Sequence, residues 1–135
     1  MGARLLVVDD NEDNRWLMSF VLEAVGHEVL LAANGSEGVE AARRDRPDLI
    51  LMDLKMPVID GFEALRLIRR EPSLREIPII ALTATLAGDR GREQARAAGF
   101  DGYIEKPIRA SALVGEIDRH LSREKRPDAS PEKER

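Results

Sequence analysis

The stretch LLVVDDNEDN, residues 5–14, runs four large apolar residues directly into two adjacent carboxylates. The apolar residues at 5–8 do not alternate with polar ones, which indicates a strand that is covered on both faces, as in a parallel sheet. Asp9 and Asp10 then place two like charges at the edge of the core. Residues in other parts of the chain must explain why two adjacent carboxylates are tolerated at this position.

Four further apolar runs follow, and segments with helical periodicity lie between them. The five runs are residues 5–8, 29–32, 49–52, 79–82 and 103–104. This alternation predicts a single doubly wound (βα)5 α/β domain, and five strands fit the flavodoxin-like parallel sheet of order 2-1-3-4-5. We expect the domain to span residues 1–121. Residues 122–135 are charged and lack an apolar stripe, so we expect a disordered tail.

Two of the helical segments carry apolar stripes that are expected to face the core. In the first segment the stripe is Leu17, Phe20, Val21 and Ala24, and Trp16 is expected to pack in the helix or the core. In the fifth segment Leu113, Ile117 and Leu121 recur every four residues. The periodicity therefore predicts which side of each helix packs on the sheet.

The composition excludes several classes of protein. The chain has 135 residues, no cysteine and a formal net charge of -4. Nucleic-acid-binding domains are usually basic, so we expect no nucleic-acid partner. No apolar run approaches the roughly 20 residues that a membrane-spanning helix needs. The lack of cysteine excludes disulfides and favours a cytoplasmic location.

Carboxylates follow two strands that are neighbours in the predicted sheet order. Asp9 and Asp10 end the first strand, and Asp53 ends the third. Two like charges about 4 Å apart repel by about 4 kcal/mol at an effective dielectric of about 20, so such a cluster is partly protonated or built for a cation. Thr83 and Lys106 follow the fourth and fifth strands at the same edge. Oxygen ligands with room for phosphate oxygens favour Mg²⁺.

Four motifs at these strand ends make the chain resemble the receiver domain of two-component response regulators, of the stand-alone or hybrid-kinase type. They are VVDD (7–10), LMDLKMPVIDG (51–61), LTA (82–84) and YIEKP (103–107). Each motif alone is common, and a lone Lys106 or Thr83 is more often an ordinary surface or strand residue. All four in order are specific. The resemblance covers residues 4 to about 121.

The resemblance implies a role for each residue at the sheet edge. Asp53 is the expected phosphoacceptor, whose carboxylate attacks the phosphorus of a phosphohistidine. Asp9, Asp10, Asp53 and the backbone carbonyl of Lys55 are the expected Mg²⁺ ligands. Lys106 and the hydroxyl of Thr83 are expected to contact the phosphoryl oxygens.

The resemblance also implies a switch and a signalling surface. Thr83 and Tyr103 are the expected switch pair, and their movement would change the surface formed by the fourth helix, the fifth strand and the fifth helix. Lys55 and Thr85 occupy positions that tune the lifetime of the acyl phosphate, although a solvated surface lysine is an equally good interpretation of Lys55. The Lys106–Pro107 peptide bond is expected to be cis.

The implied partners are a histidine kinase or histidine phosphotransfer protein and a downstream protein target, with the chain a monomer or weak dimer. We expect self-catalysed phosphorylation and dephosphorylation rather than a turnover enzyme. A Mg²⁺-dependent aspartyl-phosphate hydrolase is one alternative, although such enzymes usually carry an aspartate where Lys55 stands. A flavin module is disfavoured because no glycine-rich phosphate loop follows the first strand. A receiver that acts as an adaptor without phosphorylation is the third alternative.

Overall fold

The structure, a computed structural model, describes residues 2–84 and 88–125. Five strands alternate with five α-helices, and a short 3₁₀ helix, Pro72–Leu74, precedes the fourth strand. The elements are β1 (Arg4–Val8), α1 (Glu12–Ala24), β2 (Glu28–Ala32), α2 (Gly35–Asp45), β3 (Leu49–Asp53), α3 (Gly61–Arg69), β4 (Ile79–Ala84), α4 (Gly88–Ala98), β5 (Gly102–Lys106) and α5 (Ala110–Lys125).

All strand pairs are parallel, and the sheet order is β2-β1-β3-β4-β5. The central strands β1, β3 and β4 are almost wholly buried because helices cover both faces of the sheet. One apolar layer joins the sheet to α2, α3 and α4, and a second layer joins it to α1 and α5. The predicted fold class and strand order are confirmed.

The first helix packs on a different face from the one that its periodicity predicts. Met18 and Leu22 are fully buried, whereas Phe20 is 60% and Trp16 is 65% exposed. The two aromatic rings stack on each other, with centroids 5.4 Å apart and an interplanar angle of 7°. The prediction that Phe20 packs in the core is therefore wrong, whereas Trp16, which was expected to pack in the helix or the core, packs against its own helix. Apolar residues surround much of this helix, so periodicity alone does not determine its orientation.

Side-chain caps determine where the helices near the carboxyl edge of the sheet begin. Asn11, Asn34 and Asp60 are the N-caps of α1, α2 and α3, and each side chain accepts a hydrogen bond from the backbone N–H three residues later. Two of these caps, Asn11 and Asp60, lie in the loops that follow β1 and β3. The caps therefore help to hold the loops that carry the acidic residues.

The fifth helix is longer than the apolar stripe predicts. Leu113 and Ile117 are fully buried and Leu121 nearly so, as expected, but α5 continues to Lys125 rather than ending at 121. The remainder of the predicted tail, residues 126–135, lies outside the described residues. Among the helices in the described ranges, none combines the length and apolar character that crossing a bilayer requires.

Candidate functional site

Asp9 and Asp10 follow β1 but occupy very different environments. Asp9 is fully buried, whereas Asp10 is exposed. The Asp9 carboxylate accepts hydrogen bonds from the backbone N–H of Asn11 (2.9 Å) and from the side-chain amide of Asn14 (3.4 Å). The guanidinium of Arg15 donates to the Asp9 carbonyl at 2.7 Å. The start of α1 therefore fixes the position of the buried carboxylate.

Asp53 lies at the end of β3 and is 4% exposed. Its Oδ1 accepts a hydrogen bond from the backbone N–H of Lys55 at 3.3 Å. Gly61 closes the loop after β3, because its N–H donates to the Leu54 carbonyl at 3.0 Å. A Cβ at Gly61 would stand only 2.4 Å from the Asp53 carbonyl oxygen. The backbone around Asp53 therefore requires glycine at this position.

The three carboxylates form one cluster at the edge of the sheet. The strands β1 and β3 are neighbours, and Val8 pairs with Met52, so Asp9 and Asp53 leave the sheet side by side. Asp9, Asp10 and Asp53 each offer an oxygen within 4.8 Å of the others. Oxygen ligands at this spacing suit a hard divalent cation such as Mg²⁺. The sequence prediction that these residues meet is thus consistent with the structure.

The surroundings of Asp53 favour its protonated form when no cation is bound. Burial of the carboxylate and the neighbouring charge of Asp9 raise the pKa of Asp53 from 3.8 to about 6, although Lys106 partly counteracts them. A bound cation would favour the ionised form instead. The carboxylate without a cation is therefore half-protonated near pH 6 and mostly ionised at neutral pH.

Lys106 at the end of β5 reaches the same cluster. Its Nζ lies 3.1 Å from Asp53 Oδ2 and 3.4 Å from Asp9 Oδ2. Burial lowers the pKa of Lys106, but the attraction of the two carboxylates outweighs burial and raises it overall. The Lys106–Pro107 peptide bond is cis, as predicted. One ammonium group therefore bridges two of the three carboxylates.

Thr83 and Tyr103 lie on the neighbouring strands β4 and β5. In the sheet these strands are on the opposite side of β3 from β1. Thr83 is buried, one residue beyond Leu82, which pairs with Asp53. Tyr103 in β5 is half-buried, and the guanidinium of Arg92 stands over its ring, 4.9 Å from the centroid. Thr85 lies outside the described residues.

The structure adds four residues that the sequence analysis did not assign to this region. Asn14 and Arg15 hold Asp9, Gly61 permits the close approach to Asp53, and Arg92 contacts Tyr103. The sequence did contain a signal for Gly61, because a glycine in the loop after a strand often marks a close approach of the backbone. The other three contacts depend on helix orientation, which sequence patterns do not reveal.

Comparison with known proteins identifies the family. The sequence model of the response regulator receiver domain matches residues 5–118. This chain belongs to the response regulator receiver domain family. This chain is 38% identical over 122 residues to the polar-differentiation response regulator DivK of Brucella anthropi. The matched region covers 90% of this chain and 98% of DivK.

Solved receiver structures agree with this assignment. The receiver domain of a sensor histidine kinase from Pseudomonas aeruginosa is 38% identical, with a TM-score of 0.82 over 90% of this chain and 99% of that one, and it has a magnesium ion coordinated in its active site cleft. The chemotaxis protein CheY4 of Vibrio cholerae is 33% identical, with a TM-score of 0.82 over 88% of this chain and 98% of that one. The predicted family membership is confirmed.

Proposed function

We propose that this receiver domain accepts a phosphoryl group on Asp53, in a Mg²⁺-dependent reaction, from a histidine kinase or histidine phosphotransfer protein. Phosphorylation of an aspartate is the general feature of the family. The observation that supports Asp53 is that its carboxylate lies in one cluster with the other two carboxylates and 3.1 Å from Lys106 Nζ, at one edge of the sheet. Asp10 is exposed, which leaves the cluster open to a partner from outside.

The chemistry requires an in-line displacement at phosphorus. A carboxylate oxygen of Asp53 attacks the phosphoryl group, the P–N bond to the donor histidine breaks, and its electrons remain with the imidazole. The carboxylates of Asp9, Asp10 and Asp53 and the carbonyl of Lys55 would hold Mg²⁺. The bound cation would neutralise negative charge on the phosphoryl oxygens.

Two residues beside Asp53 complete the proposed mechanism. In the unphosphorylated protein Lys106 forms ion pairs with two carboxylates. After phosphorylation its ammonium group would instead contact a phosphoryl oxygen, because the phosphoryl group carries more negative charge than the carboxylate. The Thr83 hydroxyl would donate to another phosphoryl oxygen. As Thr83 moves toward the phosphoryl group, Tyr103 turns inward, and the surface of α4, β5 and α5 changes.

Acetyl phosphate with Mg²⁺ tests the proposal directly, with intact mass as the readout. We expect a single phosphoryl adduct on the parent, and none on Asp53→Asn or when EDTA is present. Asp118→Asn, an exposed aspartate in α5 outside the cluster, is the matched control and should be modified like the parent. An adduct on Asp53→Asn that matches the parent in extent would contradict the assignment.

The alternatives make different predictions in the same assay. A turnover hydrolase would release phosphate from acetyl phosphate over many cycles, whereas a phosphoacceptor releases it only at the rate of its own dephosphorylation. The lysine at position 55 disfavours the hydrolase. An adaptor that works without phosphorylation would show no adduct at all.

Lys55 is proposed to tune the lifetime of the acyl phosphate. It is exposed, and its backbone N–H already contacts the Asp53 carboxylate. A cation two residues along the chain from the phosphorylated aspartate would either shield the phosphoryl group or help water to attack it. Whether Lys55 lengthens or shortens the lifetime of the acyl phosphate is therefore open. Equal phosphoryl half-lives for the parent and Lys55→Ala, measured by mass after removal of acetyl phosphate, would eliminate this role. Thr85 is proposed for the same role on sequence position alone.

The proposal extends to partners and to the limits of the domain. A protein target is proposed to bind the surface of α4, β5 and α5, with the chain a monomer or weak dimer in a cytoplasmic setting. The receiver unit is proposed to end with α5, which reaches Lys125 and so extends beyond the expected limit at 121, with the remainder of the charged segment outside it. Light scattering before and after phosphorylation tests the oligomeric state.

A further inference from the structure

Two asparagines in the loop and helix that follow β1 form a closed ring of hydrogen bonds with the buried carboxylate of Asp9. The backbone N–H of Asn11 donates to Asp9 Oδ1 at 2.9 Å, and the side-chain amide of Asn14 donates to Asp9 Oδ2 at 3.4 Å. The Asn11 side chain in turn accepts a hydrogen bond from the backbone N–H of Asn14 at 3.0 Å. A different residue therefore holds each oxygen of the Asp9 carboxylate, and these two residues are bonded to each other.

The first turn of α1 fixes the position of this ring. Asn11 is the N-cap of the helix, and Asn14 is its third residue. The backbone N–H of Arg15 donates to the Asn11 carbonyl at 3.1 Å, and the Arg15 guanidinium donates to the Asp9 carbonyl at 2.7 Å. The backbone and the carboxylate of Asp9 are thus both attached to a helix whose inner face packs on the sheet.

The cap of α1 does not require an asparagine at position 14. The hydrogen bond that caps the helix uses the backbone N–H of Asn14, which every residue except proline supplies. The side-chain amide is therefore not needed to start the helix. Within the described residues it donates to Asp9 alone, so its role concerns the acidic cluster.

Two donors share Oδ2 of Asp9, and only one of them is expected to stay there. Lys106 Nζ lies 3.4 Å from this oxygen and 3.1 Å from Asp53 Oδ2, so its ammonium group serves two carboxylates. The proposed function moves this ammonium group to a phosphoryl oxygen. Asn14 is part of α1 and remains in place, so its amide is the donor that keeps Oδ2 oriented after Lys106 has left.

We propose that Asn14 is a positioning residue for the Mg²⁺ of the phosphorylation site and acts through Oδ2 of Asp9. The inference rests on the proposed function, because it concerns the cation that this site would hold. A neutral amide suits the position, since an ammonium group would compete with the cation and a carboxylate would repel Asp9. Asp9 is fully buried, so solvent cannot orient its carboxylate in place of Asn14.

The length of the Asn14 contact sets the size of the expected effect. Residues that hold a metal ligand from behind typically change metal affinity by about 10–100-fold when they are replaced. The hydrogen bond from Asn14 is 3.4 Å long, whereas such bonds usually measure about 2.9 Å. We therefore expect an effect at the lower end of that range, about tenfold.

Calorimetric titration of the metal-free protein with Mg²⁺ alone tests the proposal without a phosphoryl donor. Asn14→Leu, which keeps the approximate size of the side chain but has no amide, should raise the dissociation constant for Mg²⁺ by about tenfold. Asn14→Ala should raise it too, which would show that the effect does not depend on how leucine packs. Phe20→Leu, an exposed residue of the same helix, is the matched control and should change the constant by less than about twofold.

Phosphorylation by acetyl phosphate at varied Mg²⁺ separates positioning of the cation from damage to the fold. For Asn14→Leu the half-saturating Mg²⁺ concentration should rise by about tenfold. The rate at saturating Mg²⁺ should stay within about twofold of the parent rate, because Asp53 and Lys106 are unchanged. A purely structural role would instead lower the rate at every Mg²⁺ concentration and leave the half-saturating concentration where it was.

The outcomes distinguish failure of this inference from failure of the proposed function. Equal or lower Mg²⁺ dissociation constants for the two Asn14 variants would overturn the inference, as would an equal loss of affinity in Phe20→Leu or a rate that falls at saturating Mg²⁺ alone. In each of these cases a parent that binds Mg²⁺ and forms the adduct leaves the proposed function intact. A parent that binds no Mg²⁺ or forms no adduct would refute the proposed function itself.

Discussion

Replacement of Asp53 by asparagine should make the protein more stable at neutral pH when no divalent cation is present. The cause is the buried position of the carboxylate beside Asp9, which raises the pKa of Asp53 from 3.8 to about 6. Because the folded protein holds this proton more tightly than the unfolded chain does, ionisation of Asp53 opposes folding. An asparagine keeps the shape of the side chain without the charge.

The magnitude follows from the two pKa values. Each pKa unit corresponds to about 1.4 kcal/mol, so a rise from 3.8 to about 6 gives about 3 kcal/mol. The full difference between Asp53→Asn and the parent should appear well above pH 6. It should shrink as the pH falls through 6, to roughly half at pH 5, because the parent carboxylate then becomes protonated in the folded state.

Urea unfolding in EDTA at pH 7.5 and pH 5.0 measures this difference, provided that the m-values of the two proteins agree. Asp118→Asn, an exposed aspartate in α5, is the control and should change the free energy of unfolding by less than about 0.5 kcal/mol at both pH values. The reasoning is refuted if Asp53→Asn is no more stable than the parent at pH 7.5, or if its advantage does not decrease at pH 5.0.

Three further substitutions test the acidic cluster and its supports. Asp10→Ala should raise the melting temperature without Mg²⁺, by removing one like charge, and should abolish the rise that Mg²⁺ produces in the parent; a parent-like response to Mg²⁺ titration would contradict this. Gly61→Ala should lower the free energy of unfolding by about 1–3 kcal/mol, because a Cβ would stand 2.4 Å from the Asp53 carbonyl oxygen and 2.8 Å from Leu54 Cα; unchanged urea unfolding would show that the loop relaxes freely. Lys106→Met should cost roughly 2–4 kcal/mol at pH 7.5, somewhat less than for a fully buried pair because the lysine is 25% exposed. Adding Asp53→Asn to Lys106→Met should recover most of that loss, and a double variant no more stable than the single one would argue against the charge explanation.

The first helix shows where sequence reasoning failed. Its apolar residues occupy more than one face, so periodicity pointed to Phe20 as a core residue, whereas the structure buries Met18 and Leu22 and leaves Phe20 60% exposed. The packing of α1 against β2 and α5 sets its rotation. Helix orientation of this kind depends on contacts between distant parts of the chain.

The sequence by itself determined the order of the elements, the parallel sheet and the meeting of Asp9, Asp10 and Asp53 at one edge. Neighbouring parallel strands bring their carboxyl ends together, so any residue that ends such a strand reaches that edge. The tertiary structure alone decided that Asp9 is buried while Asp10 is exposed, and that Lys106 spans two carboxylates. Burial and charge pairing are properties of side chains packed from distant segments, and local sequence patterns do not carry that information.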